Sequence, residues 1–150
     1  EFLEEGNLIF HQLFEASPHG FSSAKNPLAK QDFVTLSDLM PYPYLSFEQG
    51  DYNSFYFSEE ILSTISRPKN ITVSDRATLF NLLIGLNGYT ISTGVISHKL
   101  NSKEIVAVPL LVDERITVGY ITHKNVKNSP LANIYIEYLK ASIEEERNTV

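Results

Sequence analysis

Residues 71–96, ITVSDRATLFNLLIGLNGYTISTGVI, decide the fold. Ile71 and Val73 are β-branched and flank a polar Thr72, which suits a short parallel strand. Ser74 and Asp75 follow where a helix would begin. Either can serve as N-cap, because a side-chain oxygen can accept from an unpaired helix N–H. Ala77, Leu79, Phe80, Leu82, Leu83, Ile84 and Leu86 are apolar around most of the circumference, so the helix is expected to lie against a sheet. Asn87 and Gly88 stop it, since both tolerate the left-handed conformation that closes a helix. Tyr89 to Thr93 return as a strand, with Gly94 at its end. In open α/β folds, ligands collect at such strand-to-helix turns, near helix N-termini.

Upstream, residues 7–16 have strand-like composition, and His19 to Ser23 continue extended after Pro18. Thr35 is a plausible cap for a short helix over Leu36 to Met40, which Pro41 and Pro43 end. Pro43 to Phe47 read as a strand. Asn53 or Ser54 can cap a helix reaching about Ile65, with Phe57, Ile61 and Ile65 as its buried stripe. Downstream, Gly94 to Lys99 read as a short helical turn, and Ile105 to Leu111 and Arg115 to Thr122 as strands. Ser129 and Pro130 then supply a cap and a first-turn proline. Leu131, Ile134, Tyr135, Tyr138, Leu139 and Ile143 would form one apolar face of the helix that follows. Strands alternate with helices almost throughout. The expected class is therefore α/β, a mainly parallel sheet with helices on both faces.

The 150 residues and 43% hydrophobic content are enough for a folded core. A net charge of -6 without clustered basic residues argues against nucleic-acid binding by this chain itself. Cysteine is absent, which removes disulfides and thiolate metal sites. No apolar run approaches the ~20 residues that span a bilayer, and no signal peptide is visible, so a cytoplasmic location is expected. The start, EFLEEG, reads as a boundary within a longer chain. Asn70-Ile71-Thr72 matches a glycosylation sequon but opens a strand. His11, His19, His98 and His123 lack the spacing of a helical metal pair, so no metal and no cofactor are expected. No nucleophile elbow, phosphate loop or dinucleotide fingerprint occurs, and the chain is not read as an enzyme.

Several segments together resemble the effector-binding domain of LysR-type transcriptional regulators. These are NPLAK (26–30), TLSDLMPYPYLS (35–46), the central unit ending in GLNGYTISTG (85–94), and VAVPLLVDERITVGYIT (106–122). The resemblance implies a periplasmic-binding-protein-like lobe. Residues 18–112 would form lobe II, and residues 1–17 and 113–150 parts of lobe I. It implies a small-molecule effector held between lobes, a homodimer or tetramer, and contact with DNA only through a helix-turn-helix outside these residues. FEQGDYNSFYFSEEILST and VSDRATLFNLLIGLNGYTIST look most like members from low-GC Gram-positive bacteria that govern cysteine and methionine supply. The aromatic cluster Tyr52, Phe55, Tyr56 and Phe57 would then serve either the family's dimer or local packing. A solute-binding protein of the periplasmic type shares the fold and is the alternative.

The candidate effector site is a pair of strand-to-helix turns: Ser46, Glu48 and Gln49 after one strand, Ser74 and Asp75 after another. By resemblance, the positions matching Ser46 and Ser74 carry a hydroxyl in members with anionic or amino-acid effectors. Helix-start N–H groups suit a small anion, whereas Glu48 prefers an ammonium group. An amino-acid derivative would reconcile the two. Ser74 and Asp75 also read simply as helix caps. Thr93, beside Gly94, is a further candidate, equally explained as a cap of the next turn.

Overall fold

The computed structural model describes residues 2–48, 62, 66–96 and 103–147. In chain order the elements are α1 (Phe2–Glu5), β1 (Leu8–Ala16), β2 (His19–Ser23), a 3-10 turn (Pro27–Lys30), α2 (Leu36–Leu39), β3 (Tyr44–Phe47), β4 (Asn70–Val73), α3 (Arg76–Gly85), β5 (Tyr89–Ser92), β6 (Ile105–Pro109), β7 (Ile116–His123) and α4 (Pro130–Arg147). The helix expected between residues 53 and 65, with the aromatic cluster it carries, lies outside the described residues, as do residues 97–99. Residues 94–96 are irregular.

The chain divides into two compact units, Ser17–Ile116 and a second made of Glu1–Ala16 with Thr117–Val150. The first holds a five-stranded sheet in the order β4-β3-β5-β2-β6. β3 runs parallel to β4, from Tyr44 opposite Asn70 to Phe47 opposite Val73, and parallel to β5 at Tyr44 and Tyr89. β2 is antiparallel to both β5 and β6. The sheet is therefore mixed, which corrects the mainly parallel expectation. A crossover helix forces β4 and β5 to run the same way. β2 is reached from β1 through Ser17 and Pro18 with no crossover, and composition does not encode strand direction.

Both faces of this sheet are covered. Successive residues of a strand point to opposite sides, so Tyr44 and Leu45 start different cores. Tyr44, Tyr89, Ile91 and Val108 pack with Leu28, Leu39 and Val34, under the 3-10 turn and α2. Leu45, Phe21, Val73 and Ile105 pack with Leu79 and Leu83 of α3. Of the apolar residues of α3, only Leu79 and Leu83 are fully buried, while Leu86 is exposed. Each such leucine contributes about 1.5–3 kcal/mol by leaving water. Two short elements are held by their caps. Thr35 and Asp38 form a reciprocal capping box on α2, and the Asn26 side chain accepts from the Leu28 N–H at 2.9 Å.

The end of α3 shows two residues doing different jobs. Asn87 takes the left-handed conformation, with φ 53°. Gly88 does not; it is buried where a Cβ would stand 2.8 Å from the Pro43 carbonyl oxygen and against Leu45. Glycine is needed there for close approach.

In the second unit, β1 and β7 form a two-stranded sheet. The His11 ring stacks on Tyr120, centroids 4.7 Å apart, and its Nε2 is hydrogen-bonded to Thr122 Oγ1 at 2.8 Å. α4 starts as expected, with Ser129 Oγ accepting from the Ala132 N–H at 3.1 Å. Its apolar face, however, divides. Leu139 and Ile143 are half-buried together with Ala132 and Ile136, whereas Leu131, Ile134, Tyr135 and Tyr138 are 54 to 75% exposed. The two stripes are about 100° apart on a helix of 3.6 residues per turn, too far to face one surface. Among the described residues of this unit, Phe14 is the one buried hydrophobic side chain.

Candidate functional site

Because β3 and β4 are parallel and in register, their C-terminal ends open on the same edge of the sheet. The Glu48 N–H donates to the Val73 carbonyl at 2.9 Å, carrying the ladder one residue past β3. That fixes the Glu48 backbone level with Ser74. α3 then begins at Asp75, which has extended backbone and whose Oδ1 accepts from the Thr78 N–H at 2.8 Å. Between these ends lies an open pocket of about 520 Å³, lined by Glu48, Thr72, Val73, Ser74, Asp75 and Thr78.

Three expected site residues, Glu48, Ser74 and Asp75, thus meet in one depression. Ser46 lies further in on β3 and is buried. Its Oγ donates to Asn70 Oδ1 at 3.3 Å and lies 3.4 Å from Thr72 Oγ1, and it is not among the lining residues. Thr93 follows β5, and its Oγ1 accepts from the Val95 N–H at 3.3 Å; it too is outside the lining. The adjacent Gly94 has φ +82° and packs on the His19 ring. Gln49 lies outside the described residues.

Thr72, Val73 and Thr78 line the pocket without having been singled out from the sequence. A signal for Thr72 was present, since alternation in ITVS puts Thr72 and Ser74 on one side. Thr78 stands three residues after Asp75, in the first turn of the helix that Asp75 caps.

The charge balance is acidic. Hydrogen bonds from Thr78, its backbone N–H first and then its side chain, hold the Asp75 carboxyl below the usual carboxylate range, with the Ala77 N–H adding a smaller effect. Glu48 is exposed and is the second carboxylate. Among the described residues, no lysine, arginine or histidine is in the lining; Arg76, next in sequence, places its guanidinium 4.6 Å over the Phe47 ring. The lining therefore offers hydroxyl and carboxylate groups that can hydrogen-bond a small polar ligand. Among the described residues no cluster of three histidine, aspartate or glutamate side chains could hold a metal ion. His19 Nδ1 donates to the Ser17 carbonyl at 2.9 Å and His123 Nδ1 accepts from the Asn125 N–H at 3.2 Å. No helix among the described residues is long and apolar enough to cross a membrane.

No protein-family model matches the chain, and no curated protein matches it. Solved structures do. HinK, a LysR family transcriptional regulator from Pseudomonas aeruginosa, superposes with a TM-score of 0.64 at 14% identity, over 91% of this chain and 49% of that one. The effector-binding domain of QuiR in complex with shikimate gives 0.62 at 18% identity, over 94% and 68%. The effector-binding domain of BenM with its effector benzoate gives 0.61 at 20%, over 93% and 63%. The chain thus spans about half of the longer regulators it matches. It has the α/β fold of the effector-binding domains of LysR-family transcriptional regulators.

Proposed function

We propose that this chain is part of the effector-binding domain of a LysR-type transcriptional regulator and that the pocket at the ends of β3 and β4 takes a small polar or anionic metabolite. Residues 18–112 act as lobe II, and residues 1–17 with 113–150 belong to lobe I. The effector sits between lobes, and its preference for one arrangement shifts a dimer or tetramer in the cytoplasm between states that hold DNA differently. DNA is contacted by a helix-turn-helix elsewhere in the protein. The carrying observation is the pocket itself: Glu48, Ser74 and Asp75 converge at the carboxyl ends of parallel strands, where open α/β sheets bind ligands. Two structures of the same fold are complexes with small organic molecules, shikimate and benzoate, which supports an effector of that size. The resemblance of residues 47–64 and 73–93 to regulators of cysteine and methionine supply makes an amino-acid derivative of sulfur metabolism the first effector to try.

The test uses the full regulator and its own promoter DNA. O-acetylserine and sulfate are titrated while DNA binding is followed by fluorescence anisotropy. The expected result is a saturable change in DNA affinity with at least one of the two, which Ser74→Trp, by filling the pocket, removes. A change that survives Ser74→Trp unaltered would place the effector elsewhere.

A further inference from the structure

The polar groups of the pocket are not equally available. Thr78 gives its N–H and its hydroxyl to Asp75. Thr72 Oγ1 is within 3.4 Å of Ser46 Oγ. A helix start ordinarily attracts an anion through its unpaired N–H groups, but here Asp75 has taken that place and left its own negative charge at the mouth. What remains open to a ligand, among the described residues, is the Ser74 hydroxyl and the Glu48 carboxylate. Both sit at the same level of two neighbouring strands, with the Glu48 backbone anchored on Val73 at 2.9 Å. The cation next in sequence, Arg76, stands over Phe47 and is not in the lining.

Resting on the reading of this pocket as the effector site, we infer that Glu48 determines its specificity: the effector presents a cationic nitrogen to Glu48 and an acceptor oxygen to Ser74, and a bare anion is refused. A protonated amine meeting an ionised carboxylate makes the stronger, charge-assisted kind of hydrogen bond. An anion in the same place faces two carboxylates with no cation among the described lining residues to offset them. The class of effector is therefore a small zwitterion of the amino-acid type.

The experiment is titration calorimetry on the full regulator at fixed ionic strength. The probes are matched pairs differing only in an ammonium or a hydroxyl, serine against glycerate and alanine against lactate, with O-acetylserine and sodium sulfate. The amino compound of a pair is expected to bind about tenfold tighter than its hydroxy counterpart, as one charge-assisted hydrogen bond allows. Glu48→Gln should remove that preference and Glu48→Asp restore part of it, with thermal melts unchanged because Glu48 is exposed. Equal binding of both members, or a preference that Glu48→Gln leaves intact, would overturn the inference. Tight sulfate binding that Ser74→Trp abolishes would overturn it while leaving the pocket as the effector site. Failure of every probe to bind would remove both.

Discussion

Asp75 does two things at once: it caps the start of α3 and adds a negative charge to the lining of the candidate pocket. Replacing it with alanine is expected to lower the urea midpoint, because the first-turn N–H groups of α3 lose their cap. Its lowered carboxyl pKa comes first from the Thr78 N–H. A group depressed in the folded state stabilises above its unfolded pKa, and that stability is lost as pH falls through the folded value. The Asp75→Ala protein should therefore show a shallower loss of stability on acidification than the parent. Asp38, lowered by the Thr35 hydroxyl and N–H, should behave the same way. The sequence names both Ser74 and Asp75 as possible caps, and nothing in residue type decides between them. The choice is made by register: β4 ends at Val73, so the next residue spans the turn and Asp75 reaches the first helical N–H groups.

At the scale of elements, glycine position gives a test of sign. Gly88→Ala drives a Cβ onto the Pro43 carbonyl and Leu45, and should destabilise by about 1–3 kcal/mol, as overpacking does. Gly85, three residues earlier on α3, would place a Cβ in open space, with nothing within 4 Å; alanine there should be neutral or stabilise by up to about 1 kcal/mol. The denaturant midpoint should fall for Gly88→Ala and stay level or rise for Gly85→Ala. Leu83→Ala, on the buried stripe against Leu45, should cost about 2–5 kcal/mol. The boundaries of β4, α3 and β5 were legible because strand, cap, apolar helix and stop signal follow one another without conflict. The direction of β2 was not, since it depends on where the chain comes from. Nor was the division of α4: its periodicity marks apolar positions, but which of them are covered depends on neighbours far away in sequence.

Among the described residues, buried apolar side chains are concentrated in one unit. Both core clusters lie within Ser17–Ile116, while α4 exposes Leu131, Ile134, Tyr135 and Tyr138. Native-state hydrogen exchange should find its slowest amides in β2, β3 and β5 and faster exchange along α4, because opening free energy follows buried apolar contact. The fold was legible from the order of segments such as NPLAK and TLSDLMPYPYLS together with the central unit. Which of the candidate residues line the pocket was legible only in part, because Ser46 and Thr93 look as polar in sequence as Ser74 does. Ser46 is instead bonded to Asn70 on a buried sheet face, and Thr93 to its own turn. The proposal that a small-molecule effector binds at the ends of β3 and β4 is tested most directly by hydrogen–deuterium exchange of the full-length protein with and without saturating O-acetylserine. Protection should rise at residues 46–48 and 72–78; protection confined to other segments, or none at all, would contradict it.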